Sequence, residues 1–443
     1  MNKTRLALLF LFIAIPLVGG CQAILPSTGQ AAATRGLADV SPERALVVYW
    51  HPLAGADEAK LLEMIDTFNQ TNPWHITVVG EHHTSDLDAL YNKVVAGIST
   101  DQLPSLVMTE PRLTAGYAAN EIAVPLDPYL KSKDWGFTTE ELADFFPDAL
   151  TTSRLPQYEN QLFSLPCCRD FQALYYNVDW LKELGYEEPP QTWEAFNKMA
   201  CAASNPAEGR FGFEMGMDSS IFTSLLATQD IPLTNTGATA FTLGGDQGRE
   251  ALQYLQGLFS QGCANWESEQ SQVTGFGEGR SLFVIDSTAH LDTYRDAVAS
   301  EGNFVWSLAA LPHTTDEPLV RVYGPAATIL RTNPQEQLAA WLFLKWFSAP
   351  AQQVEWSGYK GCFSQRPSAV EEMADILQQH PAYELASQFL EDNWITEPRL
   401  AGYSGCRAAM GRMLYAVTAG EDVNRWFDET LVECNQALNE AAR

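Results

Sequence analysis

Between Ala45 and Glu110 the sequence alternates short β-rich runs with amphipathic helical ones, and this alternation restricts the fold more than any other feature. Ala45-Leu-Val-Val-Tyr-Trp50 is rich in β-branched and aromatic residues and suits a buried strand. Leu61, Leu62, Met64, Ile65 and Phe68 then recur at helical spacing between Asp57 and Asn69, and Asn72-Pro73 closes that helix. Trp74 to Val79 reads as a second strand, and Leu87, Leu90, Tyr91, Val94, Val95 and Ile98 mark a second amphipathic helix. Pro104 to Glu110 follows as a third strand that ends in a carboxylate. Parallel neighbours need crossover helices, so the rhythm predicts an α/β sheet. Ligands of such sheets lie beyond the carboxyl ends of the strands. Trp50, His51 and Glu110 therefore share one rim.

The rest of the body adds strand signals at Leu162–Pro166, Ala173–Tyr176, Leu282–Ile285 and Phe304–Leu308. Helical spacing follows Pro189-Pro190 over Trp193, Phe196 and Met199, then spans Gln247–Phe259 and Pro334–Pro350. The last third is mainly helical and ends in Val423–Leu438. No internal repeat is visible. At about 100–200 residues per domain, 443 residues suggest two or three domains or lobes. With 46% hydrophobic residues the chain can bury a large core. A net charge of −28, from 27 basic and 55 acidic residues, argues against nucleic acid as a partner and against adhesion to anionic lipid through a basic patch.

Lys3 and Arg5 precede an uncharged apolar run from Leu6 to Val18. That run is short of the roughly 20 residues of a spanning helix but fits a signal-peptide core. It leads through Gly19-Gly20 into Cys21, and the whole resembles a bacterial lipoprotein signal, with an ordinary secretory signal as the alternative. The resemblance implies a signal peptide over 1–20, lipidation at Cys21, and an extracytoplasmic body anchored to the outer face of the bacterial cell membrane. Residues 21–44 read as a flexible tether. Of eight cysteines, seven remain beyond Cys21. An oxidising compartment favours disulfides, and an odd count leaves at least one thiol free or paired between chains. The expected bonds are Cys201–Cys263 and Cys362–Cys406, with a Cys167–Cys168 bond as a further option. No CxxC spacing supports a metal site, and no cofactor is expected.

Ala173-Leu-Tyr-Tyr-Asn177-Val-Asp-Trp-Leu181 is similar to the YYN-x3-L signature of bacterial extracellular solute-binding proteins. Pro189-Pro-x-Thr-Trp193-Glu-x-Phe196 resembles that family's next helix start, and Phe276-Gly-Glu-Gly-Arg280-Ser-Leu-Phe283 its F-x-x-G-(K/R) strand entry. Ala310-Leu-Pro312 with Val322-Tyr-Gly-Pro-Ala326, and then Ala339 to Pro350, resemble the segments that return to the first lobe. Five such motifs stand in order over roughly 400 residues. The resemblance is strongest to the carbohydrate and glycerol-3-phosphate group. It implies a two-lobed, periplasmic-binding-protein-like (type II) α/β fold with an interlobe cleft and a hinge. Its lobes are 45–155 plus 303–350, and 156–302 plus 351–443. It also implies a monomer that hands a small-molecule sugar to ABC transporter permease subunits. Cys167-Cys168-Arg169-Asp170-Phe171 departs from the family's small or apolar residues in a stretch that faces the cleft.

Sugar recognition needs aromatic faces for ring surfaces and charged or amide groups for hydroxyls. The candidates are Trp50, His51, Glu110, Arg169, Asp170, Asp218, Ser287, Tyr323, Gly324, Arg399 and Tyr403. Asp218 and Ser287 suit helix caps equally well. Tyr323-Gly324 lies at a crossing, and Arg399 and Tyr403 fall in a Gly-rich loop. His82-His83 reads as a polar loop rather than a zinc site, Trp341–Trp346 as core, and Glu371-Glu372 as a solvated face. A glycerol-3-phosphate or glycerophosphodiester binder is the alternative function, suggested by Arg169 and Arg399. A secreted glycan hydrolase is disfavoured because nothing singles out a pair of carboxylates, and GxSxG, HExxH and P-loop patterns are absent.

Overall fold

A computed structural model describes residues 37–100, 102–216, 219–375, 381–391 and 393–441. The signal peptide, Cys21, most of the expected tether and the candidate Asp218 lie outside the described residues. The predicted alternation forms β1 (Leu46–His51), β2 (Thr77–His82) and β3 (Leu106–Thr109), which are parallel. Val47, Tyr49 and His51 alternate inward along β1. The Ala56–Thr71 helix covers them with Leu61, Met64, Ile65 and Phe68. Its end is closed by Asn72, whose amide donates to Phe68 O at 3.0 Å and to Ile76 O at 2.9 Å and accepts from Ile76 N at 2.8 Å.

A short hairpin of β4 (Arg154–Leu155) and β5 (Gln161–Leu162) leads into β6 (Leu165–Pro166) and the eight-residue β7 (Asp170–Asn177). Then come β8 (Phe211–Gly216), β9 (Ala264–Glu267), β10 (Ser281–Ser287), β11 (Trp306–Ala309), β12 (Leu319–Tyr323), β13 (Ala326–Ile329) and β14 (Asn393–Ile395). One sheet runs β2-β1-β3-β13-β6; the other runs β14-β12-β7-β10-β8-β9, with β11 also on β7. Each sheet has its own apolar core, so the molecule has two lobes.

The strand pairing moves the expected lobe boundaries. β6 pairs β13 in the first sheet, although 156–302 was expected in the second lobe. β11 and β12, inside the 303–350 stretch expected in the first lobe, pair β7 in the second sheet. The reason is the length of β7: β10 occupies one edge, while β11 and β12 follow each other along the other. The Pro350–Lys360 helix also belongs with the first lobe, through buried Trp356 and the Lys60–Glu355 and Lys360–Asp57 ion pairs. Trp341 is buried in the same core and donates its indole N–H to Trp135 O at 2.9 Å. The Tyr403–Thr418 and Val423–Ala441 helices pack together on the second lobe.

Cys201 bonds Cys263. Cys362 bonds Cys168 rather than Cys406, and Cys406 bonds Cys434. Cys406 and Cys434 face each other across the two C-terminal helices, whereas Cys362 adjoins Phe363, which bridges Arg169. Cys167 is free and buried, and no bond joins it to Cys168. Alkylation and peptide mapping should therefore find the Cys167 thiol labelled only after denaturation. Cys434→Ser should cost about 2–5 kcal/mol in chemical denaturation.

Candidate binding cleft

A cavity of about 520 Å³ opens between the lobes. The first lobe contributes Glu110 and Arg112; the second contributes Gln172, Asp286, Ser287, His290, Arg321, Tyr323, Glu397 and Arg407. Glu110 follows β3 directly and precedes the Pro111–Ala119 helix, whose proline suits a first turn. That junction sets Glu110 and Arg112 on the carboxyl edge of the first sheet. On the other side, the alternation of β12 brings Arg321 and Tyr323 to one face.

Arg112 is the link between the walls. Its guanidinium donates to both Asp88 oxygens at 2.9 and 2.6 Å and to Glu110 Oε2 at 2.6 Å. It also donates across the cleft to Ser404 Oγ at 2.7 Å and lies 4.0 Å from Glu397 Oε2. Burial disfavours its charge, but Asp88, Glu110 and Glu397 outweigh that cost and keep it protonated. Glu397 pairs with Arg321 and Arg407 and accepts from Tyr403 Oη at 3.2 Å. Burial pushes its carboxyl up, and the three guanidinium groups pull it further down, below the usual range. Arg321 also donates to Thr223 Oγ1 at 3.0 Å, Ser224 Oγ at 3.2 Å and Ser220 O at 3.2 Å.

The far wall carries acids around an imidazole. His290 Nδ1 lies 3.0 Å from Asp286 Oδ2 and its Nε2 lies 3.4 Å from Glu269 Oε1. The Asp286 hydrogen bond, ahead of the opposing effect of burial, raises the His290 pKa. Tyr294 Oη donates to the same Asp286 oxygen at 2.9 Å, and Ser287 N donates to Oδ1 at 2.7 Å.

Glu110, Ser287 and Tyr323 thus converge on the cavity. Tyr403 stands behind it, fully buried against Glu397. Gly324, at φ 134°, belongs to the crossing: a Cβ there would sit 2.7 Å from Cys168 O. Arg399 lies outside this cavity and donates to Thr151 O at 2.5 Å. Trp50 is also outside, donating to Glu81 Oε2 at 2.9 Å with the His83 ring 4.3 Å away. His51 is buried inside the first lobe, where burial pushes its pKa down. Arg169 is a structural guanidinium, donating to Ala149 O and Thr152 Oγ1 and driven down to about 9 by burial. Asp170, buried at the start of β7, is pushed up to about 7 by burial, and its Oδ1 has no partner among the described residues. His82, expected in a polar loop, instead ends β2, where its Nδ1 lies 2.6 Å from Leu53 O.

Arg112, Gln172, Asp286, His290, Arg321, Glu397 and Arg407 were not singled out in the sequence. Arg321 stands two positions from Tyr323 on β12, so strand alternation marks it, whereas Arg112 lies in the first turn of the helix that follows Glu110. Glu397 carries no local signal, because its importance comes from groups 76 and 10 residues away and from the other lobe. Among the described residues no group of His, Cys, Asp and Glu is arranged to hold a metal, and no helix is long and apolar enough to cross a membrane.

The family profile described as bacterial extracellular solute-binding protein matches residues 63–384. The sugar-binding protein MalE from Xanthomonas citri superposes with a TM-score of 0.75 at 20% identity, over 89% of this chain and 98% of that one. The cyclic alpha-maltosyl-1,6-maltose binding protein from Arthrobacter globiformis gives 0.72 at 19%, over 90% and 99%. UgpB from Mycobacterium tuberculosis, in complex with glycerophosphocholine, gives 0.73 at 17%, over 89% and 99%. At these identities the likeness establishes the two-lobed α/β fold.

Opposite pKa displacements set a pH optimum. The lowered Glu397 pKa stabilises the fold above the unfolded carboxylate value, about 4.3, and this is lost as pH falls through the folded value. Asp170 retains its proton in the folded state, so stability declines as pH rises from about 4 towards 7. Calorimetric Tm should therefore peak near pH ~4, and Asp170→Asn should flatten the alkaline side. Glu397→Gln should lower stability by about 3 kcal/mol, because it leaves the buried Arg321 guanidinium without its counter-charge.

Proposed function

Because the chain belongs to the bacterial extracellular solute-binding protein family, we propose that its cleft captures a carbohydrate, a mono- or oligosaccharide, and that the lobes close over it for delivery to an ABC importer. The observation that carries this reading is the internal charge pairing of the lining. Arg112 faces Asp88 and Glu110, Arg321 and Arg407 face Glu397, and His290 faces Asp286 and Glu269. An anion entering the cleft has to compete with Glu397 for its guanidinium partners. A hydroxyl group has only to add one donor and one acceptor to groups already fixed in place. Ligand affinity for the closed arrangement then shifts the lobe equilibrium.

The protein binds and releases its solute unchanged in this reading. Among the described residues of the lining no nucleophile is paired with a neighbouring base, and the acids are engaged in ion pairs. Lipid modification at Cys21 keeps the receptor at the outer face of the membrane, where it serves the permease subunits as a monomer. Cys21→Ser should release the protein into the soluble extracytoplasmic fraction, whereas persistence with the membrane argues against the anchor.

Titration calorimetry against a panel of mono- and oligosaccharides, with glycerophosphocholine and glycerol-3-phosphate beside them, tests the ligand class. Sugar binding is expected, and Asp286→Asn should weaken it about tenfold to a hundredfold by removing a charged acceptor. Binding of the phosphate esters alone would transfer the assignment to the glycerophosphodiester reading, which the three guanidinium groups favour.

A further inference from the structure

Glu397 has a second cavity on its other side. This cavity, also about 520 Å³, shares Arg321 and Glu397 with the polar cavity and extends towards the loop after the Ser220–Ala227 helix. Its character is different. Ala227, Ile231, Leu233, Ile395 and Leu400 supply much of its wall, and among the described residues no aromatic side chain lines it. Stacking on an aromatic face, the usual means of holding an added sugar ring, is therefore missing there. Tyr323 is on the polar side of the divide.

Asp230, Thr234 and Thr396 also line it, but three further polar groups there are committed elsewhere. Gln157 donates its amide to Arg399 O at 2.7 Å, and Arg399 donates to Thr151 O at 2.5 Å. Thr223 Oγ1 accepts from Arg321 at 3.0 Å and donates to Ser220 O at 3.0 Å. What the chamber offers an incoming group is mostly aliphatic surface, and the Arg321–Glu397 ion pair is the wall it shares with the polar cavity. Resting on the carbohydrate reading, we infer that the cleft takes an amphiphilic glycoside: the sugar sits among the charged groups, and a flexible, non-aromatic hydrocarbon aglycone lies in the second chamber. Each methylene removed from water there adds affinity, whereas a second sugar ring would leave hydroxyl groups facing aliphatic walls.

The test compares methyl and hexyl α- and β-glycosides of glucose, galactose and mannose, and the matching disaccharides, by titration calorimetry on the intact chain. For the sugar and anomer that binds, the hexyl glycoside should bind at least tenfold more tightly than the methyl glycoside and more tightly than the disaccharide. Leu233→Asn, which makes the wall polar, and Ala227→Phe, which fills the chamber, should each bring the hexyl-to-methyl ratio close to one. Equal affinity for hexyl and methyl forms, a disaccharide that outbinds the hexyl glycoside, or a ratio unchanged in both variants overturns the inference and leaves the carbohydrate reading standing. Failure of every glycoside and disaccharide to bind overturns both.

Discussion

One buried carboxylate organises the cleft. Glu397 collects Arg321 and Arg407 from its own lobe and stands 4.0 Å from Arg112 of the other. Three guanidinium groups brought together without it would repel one another. With it, each becomes a fixed donor with a known direction, and the walls of the cleft hold their shape before any solute arrives. The arrangement also separates two chambers of different polarity, since the same residues line both.

Preorganisation of this kind suits recognition of uncharged, hydroxyl-rich molecules. Side chains already held by ion pairs lose little further freedom on binding, so contacts with hydroxyl groups are less offset by ordering. The excess negative charge of the chain is placed elsewhere: many of the acidic groups, such as Glu371 and Glu372, are exposed.

The legible part of the sequence was the part written in local periodicity. β1, β2 and β3 with their crossover helices follow from apolar spacing, and Glu110 follows from its place after a strand. Lobe membership did not, because β11 and β12 are assigned by their pairing with β7, more than a hundred residues away. Cysteine pairing failed for the same reason at Cys362, whose neighbour Phe363 bridges Arg169. The candidate site divided along the same line. Glu110, Ser287 and Tyr323 reached the cavity, while Trp50 and His51, equally at a strand end, and Arg169 were taken up by packing and hydrogen bonding within the first lobe and the crossing. Glu397 lies in an irregular segment and matters through partners that only the tertiary fold assembles.

The link between Cys168 and Cys362 joins two of the segments that run between the lobes, and Arg169 and Phe363 add reciprocal backbone hydrogen bonds of 2.8 Å beside it. Cys167 N donates to Pro325 O at 2.9 Å, which brings the third segment alongside. Three strands laid abreast and tied at one level behave as a strap. They bend easily across their thickness and resist sliding past one another. Such a strap favours bending between the lobes over the sliding of one lobe past the other.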